Sequence, residues 1–367
     1  MKYFVIAGER SGDLHAGNLI KALKGQDPQA SVKGFGGDYM ETAGAEILVH
    51  YRELAFMGFL EVVKNLGTIR RYLAYCKREI DKFKPDVVVL VDYAGFNLKI
   101  AKYAKGKGIP VYYYISPKVW AWNQKRALKI KRRVDHMFVI MPFEQEFYKK
   151  YDWPVDYVGN PVLDAVNDYH PDIERTELEG DYIAVLPGSR KQELQNVLPT
   201  INGLVKLFPD QQFAVAAVDN LSHDLYSSIS SNSNVKLVYG YTYDLLAHAR
   251  AAIVTSGTAT LETAMWEVPQ IVIYKTSGIS YKIAKWLIKV PFISLVNLIA
   301  NKEVVKELIQ DDLNEKSLSE ELSKILNDQP YREEMLNQYQ MIKKQLDIGR
   351  ASDNAAELMV KYLRDAG

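Results

Sequence analysis

The chain has one cysteine, Cys76, in 367 residues, which excludes an internal disulfide and fits a reducing compartment. It has almost no net charge: 46 Lys+Arg against 45 Asp+Glu leave +1. No global field therefore selects nucleic acid, and none is expected as a partner. No run reaches the roughly 18 apolar residues a spanning helix needs, and Met1 to Glu9 enter an apolar strand without the segments of a secretory signal. A soluble or peripheral, cytoplasmic protein is expected. Asp-x-Asp does not occur and the histidines lack metal-ligand spacing, so neither metal nor other cofactor is expected. The absence of Gly-x-Ser-x-Gly argues against a serine hydrolase.

Short β-branched runs alternate with longer helical patterns along the whole length, the pattern of parallel sheets covered on both faces and hence of an α/β fold. The length suits two domains, each with its own core. Strands are expected at 3–7, 32–36, 87–91, 111–115, 137–140 and 155–158, then at 182–186, 213–217, 235–238, 252–255 and 270–273. A polar, acidic stretch at 164–180, containing Pro171, reads as a linker. The expected division is a first domain over 1–163, a second over 181–330, and C-terminal helices over 331–367 that cross back or form a dimer.

Residues 251–262 read as a buried strand running into a Ser256-Gly257-Thr258 turn that opens a helix. Backbone N–H groups at such a turn attract phosphate, and Glu262 is spaced to accept a ribose hydroxyl. A second loop of this kind, Leu186-Pro187-Gly188-Ser189-Arg190, also follows an apolar strand. Two in one half of the chain suggest a nucleoside-diphosphate binder.

In the first half, β-strand 87–91 ends at Asp92-Tyr93-Ala94-Gly95-Phe96-Asn97. A carboxylate at the carboxyl end of a parallel strand meets substrate, which makes Asp92 a general-base candidate, although it could instead cap the next helix. The first strand ends in Gly8-Glu9-Arg10-Ser11-Gly12-Asp13, with a helical pattern from about Leu14. Residues 116–133 carry Trp120, Trp122 and many basic side chains, Lys125 and Arg126 among them, with no acid. They suit a phosphate or a membrane surface, or simply a solvated helix face. Residues 57–66 hold too many apolar side chains for one core-facing stripe, and 281–289 place three lysines on one face with Trp286 elsewhere around the helix. Either segment could be interfacial or ordinary core.

The ordered set Gly8–Asp13, Leu54-Ala55-Phe56-Met57-Gly58, Asp92–Asn97, Ser116-Pro117-Lys118-Val119-Trp120-Ala121-Trp122, Leu186–Arg190, Ser256-Gly257-Thr258-Ala259 and Ser294–Ala300 resembles lipid-A-disaccharide synthase. The resemblance implies the GT-B architecture: two facing Rossmann-like domains with a central crevice, and C-terminal helices. It implies transfer of 2,3-diacylglucosamine from its UDP derivative to 2,3-diacylglucosamine 1-phosphate, with inversion, at the cytoplasmic face of the inner membrane. On that basis Asp92 deprotonates the acceptor 6-hydroxyl. Gly188, Ser189, Arg190, Ser256, Gly257 and Thr258 hold the diphosphate, Glu262 the ribose, and Asn297 sugar or phosphate. Ser11, Gly12 and Asn97 lie on the acceptor side, with Lys125 and Arg126 as anchors for the 1-phosphate. Met57, Phe59, Leu60, Val62, Val63 and Trp286 meet acyl chains or bilayer. Gly159-Asn160-Pro161 departs from the Gly-His-Thr of other members, so no histidine role carries over. The rival readings are another GT-B enzyme acting on a UDP-sugar, a peptidoglycan lipid-intermediate transferase or UDP-N-acetylglucosamine 2-epimerase, and a non-catalytic UDP-sugar or membrane-binding module.

Overall fold

Val87 to Val91 are apolar at every position because both faces of the strand are covered, and all five are fully buried. The same holds for Tyr182 to Val185 and Ala251 to Val254, the centres of two separate parallel sheets. The computed structural model describes residues 1–53, 66–278, 281 and 290–365. Met57, Phe59, Leu60, Val62, Val63 and Trp286 lie outside the described residues.

One unit comprises Met1–Pro161 together with Asp347–Gly367. Its strands are β1 Lys2–Ala7, β2 Ser31–Gly36, β3 Glu46–His50, β4 Val87–Val91, β5 Val111–Tyr114, β6 His136–Val139 and β7 Asp156–Tyr157, in the order 3-2-1-4-5-6-7. All the pairings are parallel. On one face, Tyr3, Val5 and Ala7 pack with Leu19, Ile20 and Leu23 of the helix Arg10–Gln26 and with Met359 and Val360 of the helix Ala351–Asp365. The final helix is thus part of the first core. Asn354 Nδ2 donates to the Val158 carbonyl at 3.0 Å, and the Tyr362 ring stacks on His136 at 3.9 Å.

The second unit is Val162–Leu346. Its strands are β8 Tyr182–Leu186, β9 Gln212–Ala217, β10 Val235–Tyr239, β11 Ala251–Thr255, β12 Gln270–Tyr274 and β13 Lys306–Ile309, in the order 10-9-8-11-12-13 and again parallel. The helix Gln329–Leu346 stays with this unit: Met335 Sδ accepts from the Gln270 amide N–H, and Gln270 Nε2 donates to the Tyr339 hydroxyl. The segment 331–367 is therefore divided between the units rather than forming one appendage.

Two strands, β3 and β13, escape the sequence pattern. Both lie at sheet edges and carry charge, Glu46 in one and Lys306 and Glu307 in the other, as edges that resist pairing with another chain do. The expected linker also differs. Residues 164–180 contain the end of the helix Pro161–Asp168 and a 3-10 turn at Ile173–Thr176, and Ile173 and Leu178 pack on the second core. Their polarity has an internal destination. The Tyr169 hydroxyl and the Asp172 N–H both donate to the fully buried Asp244 carboxylate.

Candidate active site

The strand order reverses beside β1/β4 in the first unit and beside β8/β11 in the second. Helices leaving neighbouring strands there diverge to opposite faces and open a crevice at the carboxyl ends. The Gly8–Asp13 and Asp92–Asn97 turns and the two phosphate-type loops of the second unit lie at these points, whereas residues 116–133 follow β5. Ala7 pairs with Val91, so Gly8 and Asp92 leave the sheet side by side; Leu186 pairs with Val254, which does the same for the two phosphate-type loops.

At the first point the backbone is strained. Asp92 and Tyr93 have φ of 43° and 42°, a left-handed pair that costs on the order of 1–3 kcal/mol per residue without glycine. Neighbours impose it. Asn97 Nδ2 donates to the carbonyls of Val91 at 3.1 Å and Asp92 at 2.8 Å, and the buried Tyr113 hydroxyl also donates to the Asp92 carbonyl. Burial holds the Tyr113 hydroxyl protonated, well above the usual phenol range. Arg126 acts electrostatically on that same hydroxyl, which links it to the Asp92 turn, whereas Lys125 is exposed. A Cβ at Gly8 would fall 2.1 Å from the Tyr93 ring, so only glycine lets the two loops pass.

The half-buried Asp92 carboxylate does not cap the next helix: the N-cap of Ala94–Gly106 is Tyr93, without a side-chain cap bond. Among the described residues the carboxylate enters no hydrogen bond or ion pair. It does act on His15, a half-buried residue of the helix Arg10–Gln26 that the sequence reading passed over.

Other expected acceptor-side residues are redistributed. The helix opens at Arg10 rather than Leu14, with Ser11 exposed and Gly12 buried against Ala7. Asn97 is fully buried and its Nδ2 holds the turn. Asn160 is likewise 1% exposed, with Nδ2 on the Ile140 carbonyl.

The Ser116–Trp122 loop rests on a buried acid. Trp120 Nε1 donates to Glu144 Oε1 at 3.1 Å, the Met141 N–H donates to Oε2 at 3.0 Å, and Ser116 Oγ pairs with the Tyr148 hydroxyl at 2.6 Å. Burial raises the Glu144 carboxyl to about 7, against these bonds. Trp122 and Leu128 instead stand 45% and 47% exposed, beside the exposed Lys125 and Lys129.

At the second point, Gly188 has φ of 106°, and a Cβ there would meet Glu193 Oε2 at 2.4 Å. The N–H groups of Ser189 and Arg190 converge on that oxygen at 3.1 and 3.2 Å, and Arg190 Nη1 pairs with Oε1 at 3.2 Å. This anion nest therefore already holds an anion, the carboxylate of its own helix. Across the switch point, Ser256 Oγ donates to the Ile293 carbonyl, Gly257 and Thr258 are exposed, and the helix Thr258–Met265 begins. In its first turn the Thr260 N–H donates to the Gly257 carbonyl at 3.3 Å, while the N–H groups before it have no acceptor within the helix. Glu262, one turn on, accepts from the Tyr243 hydroxyl at 2.8 Å, and burial raises its pKa. Tyr169 and Trp266 each pack edge-on against Tyr243.

Asn297 corrects the expectation of a sugar or phosphate contact. It is fully buried: Nδ2 donates to the Val305 carbonyl and Glu307, and Oδ1 accepts from the Val304 and Val305 N–H groups. Glu307 also accepts from the Ile293 and Ser294 N–H groups. Asn297 thus braces the turn carrying the Ile293 carbonyl that Ser256 grips. Among the described residues no cluster of His, Cys, Asp and Glu could hold a metal, and no helix is long and apolar enough to cross a membrane.

Comparison with known proteins adds to this geometry. The family described as lipid-A-disaccharide synthetase matches residues 3–360. Lipid-A-disaccharide synthase of Coxiella burnetii is 37% identical, covering 97% of this chain and 96% of its own. Lipid-A-disaccharide synthase 1 of Legionella pneumophila is 38% identical, covering 98% and 97%. Among solved structures, UDP-GlcNAc 2-epimerase from Neisseria meningitidis bound to UDP-GlcNAc superposes with TM-score 0.66 over 100% of both chains at 15% identity. The glycotransferase of kitacinnamycin gives 0.67 over 99% of each at 12% identity. The last two share the GT-B type of fold.

Proposed function

The chain belongs to the lipid-A-disaccharide synthetase family and is a glycosyltransferase of lipid A disaccharide synthesis; on that premise we propose that it transfers 2,3-diacylglucosamine from UDP-2,3-diacylglucosamine to the 6-hydroxyl of 2,3-diacylglucosamine 1-phosphate. The observation that carries the residue-level reading is Asp92, a half-buried carboxylate fixed on a strained turn at a switch point. Asp92 takes the proton of the acceptor hydroxyl as its oxygen attacks the anomeric carbon opposite the UDP oxygen, which inverts that centre. UDP leaves as an anion and needs no separate acid. Arg190, the Gly188–Ser189 N–H groups and the Ser256-Gly257-Thr258 turn compensate its charge, and Glu262 takes the ribose.

Ser11 and Gly12 line the acceptor side, and Arg126 with Lys125 anchors the 1-phosphate. The protein works as a peripheral enzyme at the cytoplasmic face of the inner membrane. Supporting that reading are the exposed Trp122 and Leu128 beside Lys125 and Lys129, an apolar and basic combination suited to an anionic lipid surface. The apolar Met341 and Ile348, which are 62% and 48% exposed, support a homodimer, and sedimentation tests it.

The deciding experiment is a mixed-micelle assay with both lipid substrates, following UDP and disaccharide together. Matched formation is expected. UDP without disaccharide would overturn the acceptor assignment, and an epimerised UDP-sugar would return the enzyme to the chemistry named for its structural neighbours.

A further inference from the structure

We propose that Tyr243 decides which ribose hydroxyl the donor site recognises: by holding Oε1 of Glu262 it leaves Oε2 to the sugar, so that the carboxylate grips a single hydroxyl of the nucleoside diphosphate. Tyr243 is thus a positioning and specificity-determining residue, and its role rests on the reading of Glu262 as the ribose contact. The two side chains come from helices that leave β10 and β11, strands separated in the sheet by β9 and β8. The Tyr243 hydroxyl donates to Glu262 Oε1 at 2.8 Å. Among the described residues Oε2 receives no hydrogen bond and the carboxylate enters no ion pair.

The ring that makes this bond is fixed in place. Tyr169 packs edge-on against it with centroids 5.2 Å apart, and Trp266 does so at 5.9 Å. Tyr169 is itself tied down, its hydroxyl donating to the buried Asp244, the next residue after Tyr243. The helix Thr242–Ala247 that carries Tyr243 and Asp244 is anchored by the fully buried Leu245 and Leu246, and the Tyr182 hydroxyl donates to the Leu245 carbonyl at 2.8 Å. Of the three rings only Tyr243 gives Glu262 a proton. That of Tyr169 goes to Asp244, and among the described residues the buried Trp266 Nε1 has no partner.

A carboxylate with both oxygens open can bridge the two vicinal hydroxyls of a ribose, each through a charge-assisted bond. The phenol on Oε1 opposes bridging. Turning Oε1 to a second sugar hydroxyl would break the Tyr243 bond and leave a half-buried hydroxyl unsatisfied, a cost of about 10-fold in affinity. The same bond favours the ionised carboxylate to which a sugar hydroxyl donates: burial pushes the Glu262 carboxyl above its ordinary range, and Tyr243 pulls it back.

Calorimetry of the full-length enzyme with UDP, 2′-deoxy-UDP and 3′-deoxy-UDP tests this. In wild type one analogue should bind about 10-fold or more weakly than UDP, as loss of a hydrogen bond to a charged group does, and the other within about threefold of UDP. In Tyr243→Phe, with Oε1 released, the affinities of the two analogues should come within about threefold of each other. A merely structural Tyr243 would weaken all three ligands by one factor and keep the difference between the analogues, which would overturn the proposal, as would an unaltered pattern. Should Tyr243→Phe not fold, the wild-type measurement decides: equal losses for both analogues would mean that Glu262 takes both hydroxyls, and would reject the role of Tyr243. If neither analogue binds more weakly than UDP, or if their difference survives in Glu262→Ala, the reading of Glu262 as the ribose contact is itself rejected.

Discussion

Both units place their candidate residues where the strand order reverses, but the two points are built on opposite terms. At β1/β4 the backbone of Asp92 and Tyr93 is held in a left-handed conformation by Asn97 and Tyr113, and the carboxylate is left out of every described hydrogen bond. At β8/β11 the loop backbone is relaxed by glycine at 188, and its N–H groups are already satisfied by Glu193. One site keeps a reactive group unsatisfied at the expense of strain; the other keeps an anion site filled until a stronger anion arrives. The first arrangement suits a chemical step and the second a binding step.

The largest effect should come from breaking the first. Asp92→Ala is expected to lower turnover by about 100-fold or more while leaving UDP affinity nearly unchanged, since a general base contributes to the transition state alone. Steady-state rates and calorimetry check the two halves of that statement, and a variant that loses both would collapse the division of labour. Arg190→Ala comes next and should do the converse, weakening UDP binding by roughly 10-fold through loss of a charge-assisted phosphate contact. Unaltered UDP affinity by calorimetry would remove Arg190 from the donor site.

Much of this was legible because it depends on patterns a sequence displays. Uninterrupted apolar strands ending in Asp92, Gly188 or Ser256 announce buried parallel strands and what stands at their carboxyl ends. What stayed hidden depends on the destination of polar atoms. Asn297 looks like a ligand contact because an amide can serve a sugar or a backbone equally well, and only the fold shows that both ends of its amide are taken up inside the protein, as Asn97 Nδ2 is by the Val91 and Asp92 carbonyls. The acidic stretch 164–180 looked like solvent-exposed linker because Asp244, which gathers its polar groups, lies 72 residues away from Asp172.

The two N-cap regions sharpen the comparison further. Glu144 and Glu193 occupy the same third position of a capping box, yet Glu144 is 2% exposed and Glu193 lies at the surface boundary. Burial raises Glu144 from an ordinary value near 4.5 to about 7. Between those limits the folded chain retains a proton the unfolded chain has lost. Its contribution to stability is therefore complete below about 4.5 and disappears as pH rises through 7, at most about 3 kcal/mol for such a shift. Urea unfolding at pH 5 and pH 8 should show that decline in wild type and a flatter profile in Glu144→Gln. An identical slope in both would mean that the carboxyl does not titrate in this window.

Glu193→Gln tests the other box and should give the smallest effect. The amide still accepts from the Ser189 and Arg190 N–H groups through one oxygen, so the cap survives, but the nest loses its resident charge and Arg190 its ion-pair partner. UDP should then bind about two- to fivefold more tightly, the scale of a solvent-screened charge contact. Weaker binding would show that Glu193 shapes the loop for phosphate rather than competing with it. The second site would then resemble the first, a geometry imposed by neighbours, and the contrast between a filled nest and an unsatisfied acid would fail.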